Sequence, residues 1–62
     1  MKKFWMLYVE GGESREEKHL RLNNAENEAH RLAEALGKPV YVLEAIRVGT
    51  PKMVTTWEDL EL

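Results

Sequence analysis

The stretch from Leu22 to Ala45 limits the possible folds most strongly, because an amphipathic helix passes there directly into an apolar strand. We predict the helix over about residues 24–36. Apolar side chains recur at the spacing of one helical face, at Leu22, Ala25, Ala29, Leu32, Ala33 and Leu36. The alanines on this face let the helix lie close to a sheet, but they contribute little apolar area.

Both ends of this helix carry recognisable signals. Asn23 is a good N-cap, and Glu26 three residues later completes a capping-box pattern that satisfies free N–H groups in the first turn. Gly37 stands where a left-handed residue closes a helix, and Pro39 prevents the helix from continuing. The strand that follows should therefore begin after a short turn.

Four strands are predicted around the helix, over about residues 3–10, 18–22, 40–48 and 53–57. In the second strand Leu20 and Leu22 are expected to face inward, as alternate residues of an edge strand. The element order ββαββ predicts an α+β fold, a small antiparallel sheet with one helix packed on one face. The 62 residues are predicted to form a single domain, 1–62.

The first and third predicted strands are apolar on both faces. One helix covers one face of a sheet, so strands in such a fold should alternate between apolar and polar residues. In the first strand Phe4, Met6 and Tyr8 oppose Trp5, Leu7 and Val9, and in the third Val40, Val42 and Ile46 oppose Tyr41, Leu43 and Ala45. The face that the helix leaves uncovered must contact something else.

The sequence leaves three possibilities for what covers that face. The C-terminal segment with Trp57 could fold back over it, a second copy could form a homodimer through the face or an edge strand, or another protein could bind. Tyr and Trp are enriched at binding hot spots, so the candidate partner-binding residues are Trp5, Tyr8, Tyr41 and Trp57. We expect a small non-enzymatic protein-binding module, with a structural homodimer as the alternative.

Charge and composition narrow the classes of partner. The net charge is −2, and basic residues are interleaved with acidic ones, which argues against nucleic acid and anionic membranes. Aromatic strands can still stack bases, so single-stranded nucleic-acid binding remains a further alternative. The apolar run that ends at Val9 is too short to span a bilayer and has no small-residue cleavage site. With no cysteine in the chain, we expect a cytoplasmic protein without a membrane partner.

The sequence has no pattern typical of a catalytic or metal site. His30 is flanked at helical spacing by Glu26 and Glu34, which is more typical of ion pairs on a solvated helix face than of a metal site. Gly11 and Gly12 lack the lysine and the following helix of a phosphate-binding loop. We therefore expect no enzymatic activity, no metal and no cofactor.

Three phrases of the sequence, Tyr8–Gly12, Asn24–Ala33 and Gly37–Ala45, with Thr56-Trp57 near the end, resemble small uncharacterised proteins encoded by bacteriophages and prophages. The resemblance covers most of the chain and carries no catalytic motif. It implies a phage accessory protein that acts in the cytoplasm of a bacterial host. Some phage proteins of similar size and element order inhibit host defence, anti-CRISPR proteins among them, by binding a host complex. That step is an analogy of fold.

Overall fold

The computed structural model describes residues 2–12, 14–51 and 53–61, which form one helix and five strands. In chain order these are β1 (Trp5–Val9), β2 (Ser14–His19), α1 (Leu22–Leu36), β3 (Val40–Glu44), β4 (Arg47–Thr50) and β5 (Thr56–Asp59). The helix packs on a small antiparallel sheet, so the predicted α+β fold is confirmed. The order is ββαβββ, with one strand more than predicted.

The second strand lies earlier in the chain than predicted. It covers Ser14–His19 instead of residues 18–22, and Leu20 is 74% exposed in the turn that follows. The charged residues before His19 can form a strand because β2 lies at a sheet edge, where side chains need no apolar cover. The inward orientation expected for Leu20 and Leu22 is therefore wrong, since Leu22 is 45% exposed as well.

The helix begins two residues earlier than its sequence signal suggests. Arg21 occupies the N-cap position with extended backbone angles, and no side-chain capping bond is described for it. The Ala25 N–H donates to the Arg21 carbonyl at 3.2 Å. Asn23 consequently lies inside the first turn, so the predicted capping role of its side chain is wrong. The C-terminal signal is confirmed, because Gly37 is left-handed and donates its N–H to the Ala33 carbonyl at 2.8 Å.

The long strand predicted over residues 40–48 is divided into β3 and β4, which belong to different sheets. β5 covers Thr56–Asp59 instead of residues 53–57, because Met53 and Val54 lie in the bend between β4 and β5. Apolar composition alone therefore misplaced the end of one strand and the start of the other.

The core lies between α1 and the three-stranded sheet, whose order is β2-β1-β3. Trp5 and Leu7 of β1 are buried against Ala25, Ala29 and Leu32 of the helix. Val40 and Val42 of β3 pack against the edge of this cluster. The helix lies mainly over β1 and β3, and its small alanine side chains allow this close approach.

The β4–β5 hairpin, which we call the arm, projects from the rest of the fold. Among the described elements, β4 and β5 contact only each other. The Cα positions extend over 44 × 23 × 13 Å, and the radius of gyration is 13.7 Å. A compact chain of this length would have a radius of gyration of about 10.5 Å. The arm therefore gives the protein an elongated shape.

Backbone hydrogen bonds fix the base of the arm. The Ala45 N–H donates to the Phe4 carbonyl at 2.9 Å, and the Leu60 N–H donates to the Ile46 carbonyl at 2.8 Å. The Lys3 N–H donates to the Glu61 carbonyl at 2.6 Å. Leu60 is 7% exposed at this junction. The arm thus leaves the sheet in a direction held by main-chain groups from three segments.

We predict that Gly37→Ala destabilises the fold by about 1 kcal/mol, because Gly37 has a φ of 65° and an L side chain is strained there. A Cβ would meet no atom within 4 Å, so the cost comes from the backbone alone. Urea unfolding followed by circular dichroism measures the change. Gly37→Asn is the matched control and should lose less, since Asn tolerates this conformation. An alanine variant as stable as the parent contradicts the prediction.

Candidate protein-binding surface

β1 is apolar on both of its faces, and the helix covers one of them. Trp5, Leu7 and Val9 are buried on the helix side, whereas Met6 and Tyr8 point to the opposite side and are partly exposed. We call that opposite side the open face, and it consists of Phe4, Met6, Tyr8, Tyr41 and Leu43. The two-sided apolar pattern expected from the sequence is therefore present in the folded strand.

Two cross-strand pairs form the centre of the open face. Met6 lies opposite Leu43, and Tyr8 lies opposite Tyr41. The two tyrosine rings are stacked, with centroids 6.2 Å apart and planes inclined by 24°. Tyr41 is 45% exposed and Leu43 is 47% exposed. Because stacking holds both rings in place, the pair presents a large amphipathic area with few rotamers to lose on binding.

Charged groups border the open face. The Lys18 ammonium lies 4.6 Å from the centre of the Phe4 ring, a cation–π contact. The Tyr41 hydroxyl donates to a Glu10 carboxylate oxygen at 3.4 Å. The negative charge of Glu10 raises the pKa of Tyr41, and desolvation and the hydrogen bond act in the same direction. An apolar centre with a polar border is the usual arrangement of a protein interface.

We predict that Glu10→Gln lowers the pKa of Tyr41 toward that of an ordinary tyrosine, because it removes the carboxylate charge that opposes ionisation. Ultraviolet titration in a Tyr8→Phe background reports Tyr41 alone, since the chain has 2 tyrosines. The contribution of this group to stability is complete below the ordinary tyrosine pKa and is lost as pH rises through the raised pKa. This loss of stability at high pH should be smaller in Glu10→Gln.

Glu34→Gln, on the outer side of the helix, is the control for this titration and should leave the Tyr41 pKa unchanged. An unchanged Tyr41 pKa in Glu10→Gln would show that the two side chains do not interact in solution.

The arm carries a second aromatic group, Trp57, which is 63% exposed. The Arg47 guanidinium lies 5.7 Å from the centre of the indole ring, and its Nε is 3.1 Å from an Asp59 carboxylate oxygen. Opposite Trp57 across the hairpin stands Gly49. A Cβ at Gly49 would lie 3.0 Å from the indole Cζ3, so the absence of a side chain there lets the ring lie against the strand.

We predict that Gly49→Ala displaces the Trp57 indole, because the added methyl group would lie only 3.0 Å from the ring edge and 3.1 Å from the Thr55 methyl group. The Trp57 indole N–H resonance should shift in NMR spectra. Trp5 is an internal control, because it lies in the core and should keep its resonance. Unchanged Trp57 resonances would contradict the position of the ring against Gly49.

The four candidate residues from the sequence have different locations. Tyr8 and Tyr41 are together on the open face, and Trp57 is exposed on the arm. Trp5 is 5% exposed in the core, so its side chain is not available as a contact residue. The arm projects and Trp57 stays exposed, so the alternative in which this segment folds back to cover the surplus apolar face is wrong.

Sequence reasoning overlooked two groups of surface residues. Met6 and Leu43 belong to the open face, and strand alternation put them on the same faces as Tyr8 and Tyr41, but only Tyr and Trp were chosen as candidate contact residues. Met53 and Val54 are exposed in the bend of the arm, where their apolar character instead suggested a strand. No local signal in the sequence separates an apolar strand from an apolar bend of this length.

The helix carries ion pairs on its solvated side. Arg31 makes two hydrogen bonds to the Glu28 carboxylate, at 2.9 and 2.6 Å, and these lower the pKa of Glu28. Desolvation opposes this lowering of the Glu28 pKa, and the charges of Arg31 and Arg15 add to it. The His30 Nε2 lies 2.9 Å from a Glu34 carboxylate oxygen. Among residues 2–12, 14–51 and 53–61 no group of three metal-ligating side chains comes together.

A cleft of about 270 Å³ lies between β2 and α1, beside the Glu28–Arg31 pair. Leu7 and Leu32 contribute apolar atoms to it, and Arg15 and Glu17 bring opposite charges. Because acidic and basic groups alternate around this cleft, its lining selects no single ligand charge. The open face and the arm are the better candidates for a binding role.

Comparison with protein-family models, with curated proteins and with solved structures finds no match to this chain. The described part of the chain contains no helix with the length and apolar character needed to cross a membrane.

Proposed function

We propose that the protein is a small non-enzymatic binding module whose open face engages another protein. The observation that carries this proposal is the stacked Tyr8–Tyr41 pair on a sheet face that the helix does not cover. Tyrosine, tryptophan and methionine are enriched at the centres of protein interfaces. The open face brings two tyrosines, Met6 and Leu43 onto one side of the sheet.

The charges around the open face favour a protein partner over a nucleic acid. Lys18 places one positive charge beside Phe4. The same surface also carries the negative Glu10 carboxylate, which accepts a hydrogen bond from the Tyr41 hydroxyl. Binding of single-stranded nucleic acid needs a positive groove along the backbone in addition to stacking rings. A net charge of −2 gives no such field over the whole chain. We therefore infer that the two tyrosines of the open face contact a protein.

The arm supplies a second contact site in this proposal. Trp57 is held by Arg47 and by the flat surface of Gly49, so its ring is presented in a defined orientation. From the resemblance to small phage proteins we infer that the partner is a complex of a bacterial host. The proposal includes no catalytic step, metal or cofactor.

Affinity capture with a tagged protein, quantified by mass spectrometry of bacterial host lysate, tests this proposal. We expect Tyr41→Ala to reduce recovery of a specific partner at least tenfold, because truncation of a central interface tyrosine typically costs about 2 kcal/mol or more. Leu20→Ala is the matched control, since Leu20 is an exposed apolar residue outside the open face. Circular dichroism confirms that each variant is folded.

Equal recovery of the same proteins by Tyr41→Ala and the parent would refute the role of the open face. Recovery of no specific protein by the parent would also count against the proposal. A partner lost with Trp57→Ala but retained with Tyr41→Ala would move the binding site from the sheet to the arm.

A further inference from the structure

The two edges of the three-stranded sheet differ in how they resist pairing with another strand. The β2 edge carries four consecutive charged residues, Arg15, Glu16, Glu17 and Lys18. The β3 edge has the sequence Val-Tyr-Val-Leu-Glu, with a charge only at Glu44. Charged side chains are a common protection against edge-to-edge association, and an apolar edge without them is prone to pair. β2 is thus protected, and β3 is open to a partner strand.

The backbone of β3 shows which groups are free to pair. The Glu10 N–H donates to the Pro39 carbonyl at 2.9 Å, and the Ala45 N–H donates to the Phe4 carbonyl at 2.9 Å. Hydrogen-bonded pairs alternate along an antiparallel ladder, so the odd-numbered residues of β3 point toward β1. The N–H and C=O groups of Val40, Val42 and Glu44 therefore point away from the sheet. In the described chain no other strand lies beside them.

This free edge has clear limits. At one end β3 begins at Val40, and the residue before it, Pro39, directs its carbonyl toward β1. At the other end β3 ends at Glu44, and beyond it the Ile46 carbonyl accepts a hydrogen bond from the Leu60 N–H at 2.8 Å. The unpaired row therefore runs from Val40 to Glu44, and its middle residue is Val42.

We propose that this edge binds a second copy of the chain, with the two β3 strands antiparallel about a two-fold axis at Val42. In this register Val42 faces Val42 of the second copy, and Val40 faces Glu44 in both directions. Every outward N–H and C=O of the three residues then has a partner. The two sheets become one six-stranded sheet with both helices on the same side. This inference is separate from the proposed function, because it rests on the backbone groups of the strand edge and needs no partner protein on the open face.

The side chains of the two copies complement each other in this register. Glu44 has no like charge opposite it, because it faces Val40 of the second copy. Lys38 lies in the bend two residues before Val40, which faces Glu44 of the second copy, so the long Lys38 side chain lies within reach of that carboxylate. The two-fold axis produces this opposite-charge pair twice. On the open face Tyr41 faces Leu43 of the second copy, and no charged residue is placed among apolar ones.

A two-fold axis closes the assembly, since each copy uses its single β3 edge.

Sedimentation equilibrium over a dilution series tests the dimer. We expect the mass to rise from 7.2 kDa toward twice that value with concentration. Glu44→Lys and Lys38→Glu should each weaken the dimer about tenfold, because each places two like-charge pairs across the axis. The double variant should restore the dissociation constant to within about twofold of the parent. Glu16→Lys reverses a charge on the β2 edge and is the matched control, with no expected change.

A backbone variant keeps the test independent of side-chain effects. Chemical synthesis with an N-methyl group at Val42 removes the outward N–H and leaves every side chain in place. We expect it to be monomeric with an unchanged circular dichroism spectrum. In the parent, the Val42 amide should exchange with solvent slowly at high protein concentration and rapidly on dilution. A mass of 7.2 kDa at all concentrations, or an N-methyl variant that dimerises like the parent, would overturn the inference.

Discussion

The close packing of one small helix against one side of β1 is the constraint on which the rest of the structure depends. Ala25 and Ala29 allow the helix to approach Trp5 and Leu7, and this contact forms the core of the fold. The helix lies on one side of the sheet, where it covers β1 and β3, and it leaves the tyrosine side bare. The contact that stabilises the fold therefore also determines which apolar surface stays exposed.

Elements with strong local signals were predictable from the sequence. The helix, its Gly37 end and the two-sided apolar pattern of β1 follow from spacing and residue type. The predicted strand from Val40 was too long, because a continuous apolar sequence does not show that its two halves belong to different sheets. The charged strand β2 was misplaced, since its position depends on pairing with β1 and not on its own apolar content. Tertiary contacts decided each of these differences.

The candidate surface was predictable only in part, for a related reason. Alternation along β1 separates Tyr8 from Trp5, but the sequence alone does not tell which side the helix covers. The stacked arrangement of Tyr8 with Tyr41 depends on the register between β1 and β3, which brings together residues 33 positions apart. The exposure of Trp57 depends on the projection of the arm, and this follows from a division of strands that composition does not reveal.

The base of the arm has a further consequence. Its direction is held by main-chain hydrogen bonds from Phe4, Ile46 and Lys3, and these groups are the same whatever side chains the arm carries. Substitutions toward the bend at Met53 and Val54 can therefore change what the arm contacts without redirecting it. The sheet and helix lie apart from that bend, so such changes should add independently to the stability of the core. Recognition and folding can thus vary separately in a chain of 62 residues.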